Sequence, residues 1–377
     1  MEVGASGSRE LATARALWEA GRLETRPEEL RAAIADADPA TLVTLALDHG
    51  LSAMLWRALG ASACRDQLGA DGEALGRESD LRRVEGLLLL PHAVELSITP
   101  LVSAGLEPVV FKGPSLASRY PEPGLRSMVD LDVILPAAEH AAAVAVLQDA
   151  GWEIVSSADR DHYETLLLHP LVPSLFVELH RGLDTWFQRS AEMDIEELWA
   201  RRVPTDCLGT PAFGLSPEVE FVALAAHAGK PFHTFSRLIW VVDLTVVAKA
   251  GLDWARVGRL ARDWRCQTML AVGLRQAGRL GLDAPPELTA IDGSALRQRV
   301  LSPLFDVSWP LVAAEAGNHN RLRYALADRW TRRVVLFAGL PAPAPLRTWP
   351  RRYAEDLFRG IRRSWKLSRG ELPRQVS

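Results

Sequence analysis

The chain is 377 residues long, carries a formal net charge of −4, and has charged residues at 24% of its positions. A chain of this length has room for two or three packed units with a sizeable core. Its slightly acidic balance excludes general binding to polyanions and leaves only local basic patches. The three cysteines, Cys64, Cys207 and Cys266, lie far apart without metal-ligand spacing, so we expect buried free thiols, as in proteins of a reducing cytosol.

The apolar stretches set the expected relation of the chain to membranes. Residues 1–15 contain no apolar stretch behind a basic one, so no secretory signal is expected. The apolar runs at 87–91 and 334–346 are short or broken by proline, whereas a helix needs about 20 residues to cross a bilayer. The sequence thus predicts a protein without a membrane span and with a cytoplasmic location.

The first part of the chain, residues 1–103, is predicted to be helical. From about residue 10 to residue 100 apolar residues recur at helical spacing, and glycines lie near the ends of the periodic segments. The residue pattern then changes to short segments that are rich in β-branched residues and bounded by glycine or proline, which is typical of strands. The predicted strands lie at 106–113, 129–136, 151–157 and 174–180.

Residues 104–182 are predicted to form the core of the fold. The segment 136–151 begins with proline, is rich in alanine and ends with glycine, which indicates a helix between two of the strands. The order of strand, short helix, strand, helix, strand, strand predicts a small mixed sheet. With helical regions on either side of this sheet, the predicted fold class is α+β.

The chain becomes helical again after the predicted sheet. Ser216 and Pro217 suit the N-cap and the first position of a helix, and periodic apolar segments continue beyond them. Residues 183–330 are therefore predicted to be a helical domain. Residues 331–377 are rich in proline and then basic. They form either a linker with a solvated amphipathic helix or a segment that binds an acceptor or partner.

Asp130 and Asp132 begin an otherwise apolar strand. Side chains two residues apart in a strand point to the same face, so the two carboxylates should lie side by side. Their repulsion is relieved either by water at a strand end or by a cation, and Mg²⁺ prefers oxygen ligands of this kind. Glu178 and His180 share a face of a later strand. Glu178 could supply a third carboxylate or pair with an arginine.

A second feature precedes the aspartates in the chain. The strand that ends near Phe111 is followed by Lys112, Gly113, Pro114, Ser115 and the start of a helix. A strand, a glycine turn and a helix start can offer N–H groups and a hydroxyl to a phosphate. We therefore expect Gly113 and Ser115 to bind phosphate. Lys112 could add a positive charge, or it could be a solvated lysine at a strand end.

These motifs resemble the uncharacterised nucleotidyltransferase family of the polymerase beta-type superfold, over roughly residues 87–280. The resemblance rests on Lys112-Gly113, Tyr120-Pro121, Gly124-Leu125-Arg126, Asp130-Leu131-Asp132 and Val177-Glu178-Leu179-His180, and on His227 to Lys230, Ser236-Arg237-Leu238 and Trp240 to Asp243. The chain departs from the superfold at Pro114. This residue removes one N–H donor where the superfold usually carries Gly-Ser or Gly-Gly-Ser.

The resemblance implies a nucleotidyltransferase core between the helical regions and metal-dependent transfer of a nucleoside monophosphate from an NTP to a hydroxyl-type acceptor, with release of pyrophosphate. It makes Asp130, Asp132 and Glu178 the catalytic residues, which would bind two Mg²⁺ ions. The acceptor could be a small molecule, a peptide or protein, or an RNA, and members of the family often accompany natural-product biosynthesis genes. The alternative is a non-catalytic module that has this fold and binds a nucleotide or a partner.

Three further side chains are candidates for nucleotide binding. Arg126 could reach the triphosphate, or it could pair with one of the aspartates and relieve their repulsion. His227 and Lys230 lie three residues apart on a predicted helix and therefore on one face, where they could contact phosphate or base. His227 could equally be a packed core histidine.

Overall fold

The structure is a computed structural model of the chain. It describes residues 2–122, 124–128, 130–158, 163–182, 193–229, 235 and 237–290. Lys230 and the C-terminal segment 331–377, both named above, lie outside the described residues.

Helices precede the sheet, as the sequence predicts. They are α1 (Glu2–Ala20), α2 (Pro27–Ala35), α3 (Pro39–Asp48), α4 (Ser52–Ala61), α5 (Gly69–Val84) and α6 (Leu90–Ser103). The start of α3 shows why these segments are helical. Asp38 accepts a hydrogen bond from the N–H of Thr41 (2.8 Å), and Pro39 lies in the first turn, where its missing N–H costs nothing.

Arg65–Ser103 form one helical run of 39 residues. A 3-10 turn, Arg65–Leu68, precedes α5, and a π-helical turn, Glu85–Leu89, joins α5 to α6. Pro91 lies in the first turn of α6 and does not end the run, so the apolar helical stretch is longer than the sequence predicts. An 18-residue window of this run has a mean hydropathy of 1.4, enough for a membrane span by length and composition, and 33% of the window is buried. A core helix of a soluble protein meets the same criterion.

The described residues contain one seven-stranded mixed sheet. Its strands are β1 (Val109–Phe111), β2 (Asp130–Ile134), β3 (Glu153–Ser156), β4 (Glu164–Leu168), β5 (Phe176–His180), β6 (Arg202–Cys207) and β7 (Thr210–Leu215). They are arranged in the order β3-β4-β5-β2-β1-β7-β6. β2 runs parallel to β5 and β1 runs parallel to β7, whereas the other neighbours are antiparallel. The predicted mixed sheet and the α+β class are confirmed.

Short helices connect the first strands. α7 (Gly113–Ala117) follows β1, and α8 (His140–Asp149) follows β2. Both connections agree with the predicted order of elements. The predicted strands at 106–113, 129–136, 151–157 and 174–180 correspond to β1, β2, β3 and β5.

The sequence does not predict β4, β6 and β7. β4 contains three consecutive leucines, which favour a helix as much as a strand. β6 and β7 fall in the region 183–330, which was expected to be helical, and this expectation is wrong for the residues of the hairpin. Leu208 and Gly209 join the two strands with φ of 54° and 91°. Positive φ at both positions is the geometry of a type I′ turn, and a leucine at the first position gives no sequence signal for it.

The helices after the sheet complete the described part of the fold. They are α9 (Ile195–Ala200), which precedes β6, and α10 (Pro217–Gly229), α11 (Leu238–Ala248), α12 (Trp254–Asp263), α13 (Gln267–Arg279) and α14 (Pro286–Thr289). Pro217 and the acids Glu218 and Glu220 lie in the first turn of α10, which agrees with the start predicted at Ser216.

The buried apolar residues form two clusters. One of them joins residues of the N-terminal helices, such as Leu55, to residues of the helices after the sheet, such as Trp264. The other joins residues of the sheet to α6 and α8. The described residues of the helical regions predicted as 1–103 and 183–330 thus share one core. Cys64, Cys207 and Cys266 are buried free thiols, as predicted.

Candidate active site

The strands β2 and β5 bring the three predicted carboxylates to one place. In their parallel register Asp130 lies opposite Phe176 and Asp132 lies opposite Glu178. Because Asp130 and Asp132 are two residues apart, both project from the same face of β2, beside Glu178 on the next strand. The register thus shows that the strand of Glu178 is a direct neighbour of β2.

Asp132 is the centre of the cluster. Its side chain is only 1% exposed, and its Oδ1 accepts hydrogen bonds from the Nζ of Lys112 (2.7 Å) and the Nε2 of His180 (2.8 Å). The same His180 nitrogen lies 3.7 Å from Oε2 of Glu178. The sequence placed His180 on the face of Glu178, but only the pairing of β5 with β2 shows that it reaches Asp132.

The charges of the cluster act on one another through a poorly hydrated environment. Burial disfavours ionisation of Asp132, but Lys112 and His180 outweigh it and hold the pKa of Asp132 below its usual value. Burial, together with the charges of Asp132 and Asp130, raises the pKa of Glu178 to about 7. Burial and Asp132 also raise the pKa of Asp130. Burial opposes the charge of Lys112, but the three carboxylates prevail and raise its pKa.

The residues of this cluster fit a divalent cation. Asp132, Glu178 and His180 each offer a ligand atom, and these atoms lie within 4.8 Å of one another. Carboxylate oxygens suit Mg²⁺ and Mn²⁺, and an imidazole nitrogen is also accepted by Mn²⁺ and zinc. The group differs from the predicted one, since it contains His180 and does not contain Asp130. Asp130 lies on the same face of β2, two residues before Asp132.

Lys112 lies between the end of β1 and the start of α7. Its backbone has a φ of 58° and a ψ of −128°, a conformation that favours glycine. The sequence suggested that the neighbouring Gly113 makes this turn. Gly113 is instead closely packed, because a Cβ there would lie 3.2 Å from Sδ of Met128 and 3.4 Å from the carbonyl oxygen of Asp130.

Ser115 is engaged by a buried acid in this structure. Its Oγ lies 2.6 Å from Oε1 of Glu220 and 2.7 Å from the carbonyl oxygen of Lys112, and its one proton can be donated to either. Glu220 is 1% exposed and forms an ion pair with Arg119 (2.7 Å). Burial raises the pKa of Glu220, against the effect of Arg119. No pattern in the sequence indicates this contact.

Arg126 has a partner that the sequence did not suggest for it. Its Nε and Nη2 donate to the two carboxylate oxygens of Asp243 in α11, both at 2.9 Å, and the hydroxyl of Tyr120 donates to the same Asp243 (2.6 Å). This two-pronged ion pair is buried. Neither suggested role, a clamp on the triphosphate or a partner of the strand aspartates, is the contact observed. Asp243 instead connects α11 to Tyr120 and Arg126, which lie between α7 and β2.

His227 lies in α10 and packs against Trp240 of α11, with ring centres 5.8 Å apart and planes at 84°. This contact agrees with the core role that the sequence left open. A contact of His227 with a nucleotide stays a prediction. So does the role of Lys230, which lies outside the described residues.

Two solved structures show a likeness over 46% of this chain. The antibiotic-resistance factor ANT(2'')-Ia is 13% identical, with a TM-score of 0.35 and 89% of its own chain covered. An antigenic nucleotidyltransferase-like protein from Paracoccidioides brasiliensis is 14% identical, with a TM-score of 0.33 and 86% of its chain covered. No curated protein matches.

The match to a protein family covers more of the chain. The family described as uncharacterised nucleotidyltransferase matches residues 35–281. This range contains the paired strands β2 and β5 with their carboxylates, the turn at Lys112, and the helices α10 and α11. The chain therefore belongs to this nucleotidyltransferase family.

Proposed function

We propose that the protein is a metal-dependent nucleotidyltransferase that transfers a nucleoside monophosphate from an NTP to a hydroxyl of an acceptor and releases pyrophosphate. The observation that carries the proposal is the parallel register of β2 and β5, which sets Asp132 beside Glu178, with Asp130 on the same face. Phosphoryl chemistry of this class requires positioning and charge neutralisation rather than a covalent nucleophile.

The carboxylate cluster is the proposed metal site. Asp132, Glu178 and His180 would hold Mg²⁺ or a similar ion, and Asp130 would add a ligand for a second ion. The bound ions would polarise the phosphate and neutralise the charge that develops on it. Glu178 would act either as a metal ligand or as the base that accepts the proton of the acceptor hydroxyl, and its pKa of about 7 in the metal-free cluster suits the second role near neutral pH.

The turn at the end of β1 is the proposed phosphate site. Lys112 lies at this turn with its ammonium beside Asp132, and the backbone of Gly113 and Ser115 follows it. Pro114 lacks an N–H, and the Ser115 hydroxyl is engaged by Glu220 or the Lys112 carbonyl. The charge of Lys112 is therefore proposed to contribute most of the phosphate binding. We propose that Arg126 supports this turn. Asp243 neutralises the charge of Arg126, and the Nη1 of Arg126 would lie 3.4 Å from a Cβ added to Gly113.

The acceptor is proposed to be a small molecule, a peptide or protein, or an RNA, in a cytoplasmic protein. A second candidate function is binding of a nucleotide or partner without turnover. Two features favour this second function. Pro114 has no N–H to donate, and the Ser115 hydroxyl already contacts Glu220, so fewer groups are available to hold a triphosphate.

The proposal is tested by pyrophosphate release from each of the four NTPs with Mg²⁺ or Mn²⁺, in the presence of fractionated cell extract as a source of acceptor. We expect wild-type protein to release pyrophosphate with at least one NTP, and Asp132→Asn to reduce the rate at least about a hundredfold. Glu153→Gln, a change on an exposed strand, is the matched control. Nucleotide binding in calorimetry without pyrophosphate release from any fraction would instead support the non-catalytic function.

A further inference from the structure

We propose that Lys112 is an exchangeable cation. It neutralises Asp132 when the site holds no metal, and it moves to the nucleotide phosphates when a divalent cation binds. The inference rests on the proposed function, since it concerns the metal and the triphosphate of the same site. It adds that one side chain couples the two binding events.

The first support is that Lys112 and a metal ion require the same carboxylate. Asp132 is 1% exposed, and its Oδ1 already accepts from both Lys112 (2.7 Å) and His180 (2.8 Å). A cation bound by Asp132, Glu178 and His180 would lie next to the Lys112 ammonium. Two positive charges at such a distance repel strongly where water is largely excluded. The Lys112 ammonium must therefore withdraw from Asp132 when the metal is bound.

The second support is the place of Lys112 in the chain. Lys112 links the end of β1 to the helix start that is proposed to bind phosphate. The residue before it, Phe111 of β1, lies opposite Asp132 of β2. The lysine keeps a backbone conformation that favours glycine, although Gly113 is the next residue. Such strain is retained at functional sites more often than in ordinary turns. From this fixed Cα the four-carbon side chain can reach either the carboxylate or a phosphate at the turn.

Exchange of the Lys112 ammonium would couple binding of the metal to binding of the triphosphate. Without triphosphate, a metal must displace an ammonium from a buried carboxylate, so it binds weakly. With triphosphate present, the displaced ammonium gains a new anion, so the metal binds more tightly. By linkage the metal must strengthen triphosphate binding by the same factor. Removal of the ammonium should therefore strengthen binding of the metal alone and weaken the coupling.

The test uses the full chain, Mn²⁺ as the metal probe and inorganic triphosphate as the phosphate probe. Free Mn²⁺ is measured by its electron paramagnetic resonance signal. We expect Lys112→Met to bind Mn²⁺ alone at least about tenfold more tightly than wild type. With saturating Mn²⁺ it should bind triphosphate at least about tenfold more weakly. Lys112→Arg keeps the charge and should bind Mn²⁺ alone as weakly as wild type. Direct chelation of Mn²⁺ by triphosphate is the same for all proteins and cancels in the comparison.

The possible outcomes separate this inference from the proposed function. If Lys112→Met binds Mn²⁺ no more tightly than wild type, while Asp132→Asn lowers the binding in the Lys112→Met background, the exchange is overturned. If Asp132→Asn leaves Mn²⁺ binding unchanged in that background, the proposed metal site is overturned as well. Circular dichroism checks that each variant is folded. Lys112→Gln gives the same comparison if Lys112→Met does not fold.

Discussion

Glu178 shows how strongly the neighbours of a residue determine its chemistry. The sequence predicts its strand and its shared face with His180, but its acidity depends on carboxylates that belong to another strand. The charges of Asp132 and Asp130 add to its burial and bring the pKa of Glu178 to about 7. A group with this pKa changes its protonation state near neutral pH, whereas an ordinary glutamate stays ionised there.

Replacement of Glu178 with glutamine should remove a pH-dependent loss of stability. The folded-state pKa of about 7 lies above the ordinary value of 4.5, so the protonated carboxyl is favoured by the fold. The stabilisation of the folded state by this protonated carboxyl is fully present below about pH 4.5 and is lost as the pH rises through about 7. The loss is at most about 3 kcal/mol. The free energy of unfolding is measured with urea, in the presence of EDTA, at pH 5 and at pH 8.5. Relative to wild type, Glu178→Gln should be more stable at pH 8.5 than it is at pH 5.

The surface variant Glu153→Gln serves as the control, because this glutamate is exposed on β3. Its difference from wild type should stay the same at both pH values. If Glu178→Gln shows the same difference from wild type at pH 5 and pH 8.5, the raised pKa is refuted.

At the scale of elements, the approach of the loop before β2 to the helical run α5–α6 explains two glycines. Gly124 has a φ of 78°, and a Cβ there would lie 2.5 Å from the Cα of Arg83. A Cβ on Gly86, in the π-helical turn, would lie 2.7 Å from the Cα of Gly124. This loop carries Arg126, whose ion pair with Asp243 joins the loop to α11. The close approach therefore positions a contact that holds the site together.

Gly124→Ala should be much more destabilising than Gly105→Ala. Gly105 has nearly the same φ, 81°, but a Cβ there would meet nothing within 4 Å. Alanine at 105 should lower the free energy of unfolding by about 1–2 kcal/mol, because of the left-handed backbone alone. Alanine at 124 has the same unfavourable backbone and also pushes two backbone segments apart, which should lower the free energy of unfolding by about 1–3 kcal/mol more. Urea unfolding of both variants measures the difference, and equal losses would show that the approach of the loop to α5 has no energetic weight.

At the scale of the whole molecule, the helices before the sheet and those after it act as one body. His49, between α3 and α4, is buried, and its Nδ1 accepts from the N–H of Leu238 (3.0 Å) while its carbonyl accepts from the N–H of Ile239 (3.2 Å). Burial and the charge of Arg237 lower the pKa of His49 to about 4. A neutral imidazole thus holds the start of α11, the helix that carries Asp243.

Leu55→Ala should weaken α4 and α11 together. Leu55 is fully buried in the shared core, and loss of its side chain should cost about 2–5 kcal/mol. Hydrogen exchange followed by mass spectrometry should show equal losses of protection for the slowest amides in peptides from both helices. Leu88→Ala, at a position that is 66% exposed, is the control and should change neither. A loss confined to α4 would mean that the N-terminal helices unfold as a separate unit.

The sequence by itself determined the class of fold, the first helices, the strands β1, β2, β3 and β5, and the presence of paired carboxylates, because these depend on local periodicity and on residues two apart in a strand. Only the tertiary structure decided that β6 and β7 extend the sheet, that His180 joins Asp132, and that Arg126 binds Asp243. Those contacts join segments that are 48 and 117 residues apart. Their formation depends on strand register and on helix packing across a shared core, which local patterns do not encode.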